Sequence, residues 1–158
     1  MKLRRSVPQV VRDLRTDERR IAWGVTVDGL PLVATPTTLY AGTERLTWVS
    51  VEKVVWRPST LTLHEVAEVE GAGRVRAWEL AEDGRLAETV RERVTASVGW
   101  SDRRTLAPGA QVRLVGRRVP GEDLLQWQVI WAPGTDPHDP VLQAQVQREL
   151  DGLRRSIG

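Results

Sequence analysis

The residues able to do chemistry are few, and they do not converge on a reaction. His64 lies in an alternating stretch, Leu61 to Val66, where its side chain points with Thr62 and Val66. An acid–base or metal role needs a second imidazole or a carboxylate on that side, yet Glu65 faces the other way. His138 stands between Asp136 and Asp139 in Asp-Pro-His-Asp-Pro. The prolines stiffen that segment, and Asp139 is better used as a helix cap than as a metal ligand. Ser97 and Ser101 flank the end of a helical stretch, but neither surrounding sequence has the Gly-x-Ser-x-Gly form of a nucleophile elbow. Glu88 and Glu92 are one helical turn apart among Arg85, Arg91 and Arg93, the pattern of a solvated, ion-paired face. Gly71-Ala72-Gly73 is too short to cradle a phosphate and reads as a turn. With no cysteine, thiolate catalysis, disulfides and cysteine-ligated zinc are excluded. The expectation is a protein that is not an enzyme and that carries no metal or cofactor.

The strongest concentration of like side chains is basic. Residues 91–118 hold Arg91, Arg93, Arg103, Arg104, Arg113, Arg117 and Arg118 against Glu92 and Asp102, with Trp100 beside them. Alternation places Arg113 and Arg117 outward with Val115, and Val112 and Leu114 inward. Arg103, Arg104, Arg113, Arg117, Arg118 and Trp100 are therefore the candidate binding residues, for nucleic acid or an anionic headgroup. Residues 1–20 form a second basic zone, with seven basic and three acidic groups. Opposing charge is close in the sequence: Glu65, Glu68, Glu70, Glu79, Glu82 and Asp83 before the arginine zone, Glu122 and Asp123 within the hairpin that ends it. The net charge is only +2, and 21 of the 23 basic residues are Arg, a bias that GC-rich codon usage explains.

The positioning elements follow from periodicity. Ser6 caps a short helix, with Gln9 as its box partner and Val7, Val10, Val11 and Leu14 on one face. From Ile21 the period becomes two: Ile21, Trp23, Val25 and Val27 against Ala22, Gly24, Thr26 and Asp28. Asp28-Gly29 turns the chain into a second strand, Leu30 to Thr35, which Pro36 ends. Thr38–Ala41, Leu46–Val51, Leu61–Val66 and Arg74–Leu80 are further extended pieces, and Val51–Trp56 fits either a strand or a helical turn. A helix begins at Asp83-Gly84, carries the stripe Leu86, Val90, Val94 and Val98, and ends at Gly99. Strands Gln111–Arg118 and Leu124–Trp131 follow, joined through Pro120-Gly121, with Trp127 and Trp131 on one face. Asp139 caps the last helix with Pro140 in its first turn, and Leu142, Val146, Leu150, Leu153 and Ile157 form its stripe.

At 158 residues the chain is expected to form one domain with one core, in which seven Trp, one Tyr and no Phe supply the large volumes. No apolar run reaches the roughly 20 residues of a membrane span. The charged first 20 residues lack a secretory apolar region, so a cytoplasmic protein is expected.

The order of strands, hairpin and terminal amphipathic helix resembles a bacterial pleckstrin-homology-like (PH-like) domain, of a small uncharacterised family from GC-rich bacteria. The resemblance rests on Val25–Gly29, Thr35–Tyr40 and Leu46–Val55, and spans residues 18–157. It implies an α+β fold: an antiparallel β-barrel or sandwich of about seven strands, with one inserted helix and a C-terminal helix over 139–157. Residues 1–17 then form a basic helical segment ahead of a single domain over 18–158. Two departures stand out. The helix near Leu86–Val98 occupies what is a loop in such domains, and no Lys or Arg lies between Arg20 and Arg45, so a phosphoinositide site on the first hairpin is not carried over. The resemblance implies a scaffold that binds a protein or peptide, itself included as a homodimer. The arginine zone gives the alternative, an anionic ligand.

Overall fold

A computed structural model describes residues 6–66 and 73–157. The expected Gly71-Ala72-Gly73 turn, Glu68, Glu70, Lys2, Arg4 and Arg5 lie outside the described residues, wholly or in part. The fold is α+β, as expected, and the chain divides into two compact units. One comprises residues 6–65 with Val75–Thr95; the other comprises residues 96–157 with Val66, Gly73 and Arg74.

The first unit is a curled, seven-stranded antiparallel sheet. Its strands are β1 (Ala22–Thr26), β2 (Pro31–Ala34), β3 (Thr38–Ala41), β4 (Glu44–Thr47), β5 (Val51–Arg57), β6 (Thr60–Glu65) and β7 (Val75–Gly84), in the order β4-β3-β2-β1-β7-β6-β5. Asp28-Gly29 makes the β1–β2 turn as the sequence predicts, with Gly29 at φ 90°. Val51–Trp56, ambiguous in the sequence, is strand. The piece expected to be extended over Leu46–Val51 is instead broken by a 3-10 turn at Trp48–Ser50, where the Trp48 indole N–H donates to the Thr35 carbonyl at 2.9 Å. This bond satisfies a buried donor while the ring fills the core.

The concave side is filled by Leu32, Leu39, Leu46, Leu61 and Leu63, closed by Leu86, Ala87, Val90 and Val94 of helix α2 (Leu86–Ala96). Each buried leucine stabilises the fold by about 2 kcal/mol. Asp83 starts α2 by accepting the Leu86 N–H at 2.6 Å. The curl is visible in Arg76 of β7, which ion-pairs with Glu44 of β4 across three intervening strands of the sheet order, and with Glu65 of β6 at 3.5 Å. The Glu44 hydrogen bond holds the guanidinium pKa above its ordinary value.

Alternation in β1 assigns the faces, but both are buried. Trp23 and Val25 pack with Val33 and Tyr40 under a strap that precedes β1. The strap begins with a short helix, α1 (Gln9–Asp13), whose Val11 is fully buried in this outer cluster. Ser6 does not cap it. Pro8 takes the N-cap position, because a residue before proline is held extended and the helix cannot start earlier. Val10, assigned to the apolar face, is exposed.

Glu18 fastens the strap. Its carboxylate accepts from the Thr37 hydroxyl, from the Thr35 hydroxyl at 3.1 Å and from the Thr37 N–H at 3.3 Å, while Tyr40 accepts the Asp17 N–H. The Thr37 hydroxyl is the main cause that lowers the Glu18 pKa. A carboxylate with a depressed folded pKa stabilises above its unfolded pKa and loses that contribution as pH falls through the folded value. Glu18→Gln is therefore expected to melt at lower temperature than the natural chain at pH 7, and the gap should close as both are titrated down through the lowered carboxylate pKa. A gap that stays constant with pH would assign the latch to shape rather than to charge.

The second unit is a three-stranded antiparallel sheet with one helix. Strands β8 (Val98–Leu106), β9 (Ala110–Arg118) and β10 (Leu125–Trp131) lie in the order β10-β9-β8, followed by α3 (Pro140–Ser156). The sequence pattern does not reveal β8; its helical stripe predicts a helix through Val98 to Gly99, whereas α2 ends at Ala96 and Val98 begins the strand. Asp139 caps α3 as predicted, accepting the Val141 N–H at 2.9 Å. Leu142, Val146, Leu150 and Leu153 are buried, while Ile157, expected to complete the stripe, is exposed. Gln145 ties α3 to the β8–β9 hairpin by accepting the Ala107 N–H and donating to the Ala107 carbonyl, each at 2.9 Å.

Candidate functional site

The three-stranded sheet sorts the arginine zone by strand register. Trp100, Arg104 and Leu106 of β8, Val112, Leu114 and Gly116 of β9, and Trp127, Val129 and Trp131 of β10 share the face that packs on α3. Gly116 has Trp100 opposite it on one side and Trp127 on the other, and the two indoles meet edge-to-face over it with centroids 5.5 Å apart. A Cβ at Gly116 would lie 3.1 Å from the Trp127 ring and 2.8 Å from Leu125, so the absent side chain makes room for the aromatic pair.

Arg104 belongs to that face. Its guanidinium stacks on Trp100 at 5.7 Å and pairs with Asp102 at 3.4 Å and with Glu149 of α3 at 3.5 Å. It fastens the helix to the sheet. Arg118 is exposed at the end of β9, opposite Leu125.

The other face carries Ser101 and Arg103 of β8 and Arg113, Val115 and Arg117 of β9. Val115 and Arg117 were expected outward, and both are buried, Arg117 at 2 % exposure. Arg117 donates from Nε to Gln128 at 3.0 Å and from Nη1 to Ser97 at 2.7 Å. It serves the interior rather than a ligand. Arg103 and Arg113 remain accessible and are directly opposed across β8 and β9; Arg113 Nε donates to the Ser101 hydroxyl at 2.8 Å. Trp100 points to the reverse face, so no aromatic is interleaved with these two arginines.

A second surface was not foreseen. On the first unit the strap covers the outer face of β1–β3, whereas on the outer face of β5–β7 Lys53, Arg57, Val75, Ala77 and Glu79 are exposed and Val55, Thr60, Thr62 and His64 half-buried. Cross-strand rows there are Lys53–His64–Val75, Val55–Thr62–Ala77 and Arg57–Thr60–Glu79. Val27 extends the last row, its N–H donating to the Glu79 carbonyl at 3.0 Å. Val75 and Val27 are 58 % and 57 % exposed, and Ala77 is exposed between them and the threonines. The only sequence signal was the grouping of His64 with Thr62 on one side of its strand.

The remaining candidates are spread out or already engaged. The His138 N–H donates to Asp136 at 2.9 Å in a turn that leads into the α3 cap. Arg85 pairs with Glu88 at 3.4 Å on exposed helix surface. Ser97 accepts from Arg117, and Ser101 from Arg113. Among the described residues no cluster of three His, Asp or Glu is placed to hold a metal, and no helix is long and apolar enough to cross a membrane. Trp23 and Trp48 are buried, and the other five Trp are half-buried. Comparison with protein-family models, curated proteins and solved structures returned no match for this chain.

Proposed function

We propose that this chain is a non-enzymatic, cytoplasmic interaction module of the PH-like kind, which docks a protein partner on the outer face of β5–β7. The observation that carries the reading is the contrast within one sheet: among the described residues its outer face is sealed by the strap over β1–β3 and half-buried to exposed over β5–β7. The latter part has the make-up of an interface. Val27, Val55, Thr62, Val75 and Ala77 are small or β-branched, and Lys53, Arg57 and Glu79 rim them with charge. The curled antiparallel sheet supports the PH-like resemblance, while the C-terminal helix packs on the separate three-stranded sheet.

Thr62 lies in the central row, half-buried and outside the hydrophobic clusters of the core. Thr62→Arg is expected to weaken partner binding about thirty-fold, the effect of losing about 2 kcal/mol at the centre of an interface, with the far-ultraviolet circular dichroism unchanged. Val75→Asp should act in the same direction. A second copy of the chain counts as such a partner, and its dimer should dissociate in the same variants. Binding that both variants leave intact would place the docking surface elsewhere.

A further inference from the structure

We infer that the accessible end of the β8–β9 face turned away from α3 holds a phosphate monoester between Arg103 and Arg113, with Ser101 as a third donor. This site is separate from the docking face of β5–β7 and does not depend on it. Arg103 and Arg113 are Cα partners in adjacent antiparallel strands, so both side chains leave the sheet on the same side. Both guanidiniums are permanently charged, and like charges directly opposed destabilise a strand pair. Neither has a carboxylate partner among the described residues, whereas Arg45, Arg76, Arg85, Arg104 and Arg154 each have one. An anion between the two would turn the repulsion into two charge-assisted contacts.

The donors are partly arranged in advance. The Ser101 hydroxyl accepts the Arg113 Nε–H at 2.8 Å, which fixes that guanidinium and leaves the hydroxyl proton and both Nη groups to donate outward. Two positive charges match the nearly dianionic phosphate monoester at pH 7 better than the single charge of a diester or carboxylate. Trp100, Trp127 and Trp131 all lie on the reverse face, so the stacking platform that a nucleic-acid strand uses is missing on this one. The geometry favours recognition of a single phosphate group.

The test is a titration of the full chain at constant ionic strength, following the Arg113 Nε–H resonance. Inorganic phosphate, a phosphoserine peptide and dimethyl phosphate are the three probes. Inorganic phosphate or the peptide should bind saturably, and dimethyl phosphate at least tenfold more weakly. Tighter binding of the peptide would identify a protein-borne phosphate as the source, and equal binding a small phosphorylated molecule. In Arg103→Gln the phosphate affinity should fall at least tenfold, while the melting temperature without phosphate stays the same or rises as the repulsion is removed. A lack of saturable binding, equal response to dimethyl phosphate, or unchanged affinity in Arg103→Gln would overturn the proposal. None of these results bears on partner binding at Thr62.

Discussion

Arg117→Ala should lower the stability of the chain by about 3 kcal/mol, measured as the loss in urea-unfolding free energy. The substitution removes a buried charge together with the hydrogen bonds that Ser97 and Gln128 accept from it. Those oxygens then stay in the interior with a donor lost and a void beside them. Arg117→Lys should recover little of this, because an ammonium cannot span Ser97 and Gln128 as the planar guanidinium does. The contrast is with Arg103 on the same face, whose replacement by Gln should leave the unfolding free energy unchanged or slightly higher. Both residues belong to one basic stretch of sequence; one is interior structure and the other is free surface. A stable Arg117→Ala protein would return Arg117 to the list of binding residues.

Gly84→Val is expected to cost about 3 kcal/mol or more, because the fold gives the new side chain no space. A Cβ at Gly84 would fall 2.3 Å from Cε2 and 2.5 Å from Cδ2 of Trp23. Both contacts are with a rigid indole that is itself buried among Val25, Val33 and Tyr40 under the strap. The ring cannot swing aside without opening that cluster. The urea midpoint should drop sharply, and the tryptophan fluorescence of the native state should shift to the red. An unchanged midpoint would mean that Trp23 is loosely held and that the strap is not a packed element.

These two residues show where the sequence was readable and where it was not. Turn and cap chemistry is local, so Asp28-Gly29 and Asp139-Pro140 could be placed without any tertiary information. The stripes of α2 and α3 were legible for the same reason over most of their length. Strand β8 was not, because an edge strand with Asp102, Arg103 and Arg104 in its middle loses the apolar alternation that marks a buried strand. Without β8, Arg103 and Arg104 looked like neighbours in one patch, although consecutive strand residues point to opposite faces. Alternation also says which residues share a face, but not whether that face is covered. Arg117 and Val115 were therefore expected outside, and the outer face of β1 was not expected to be sealed by a strap that starts after Pro8. The accessible face of β5–β7 depends on pairing three strands in register, which a linear pattern of Val, Thr and Ala does not encode.

The central claim, that the face of β5–β7 docks a protein, is tested most directly by placing a photo-reactive side chain at position 77 and, separately, at Arg155 on the exposed side of α3. Irradiation in native lysate should give one dominant protein adduct from position 77, lost when Thr62→Arg is added, and no such adduct from position 155. The same diffuse set of adducts from both positions would contradict the account.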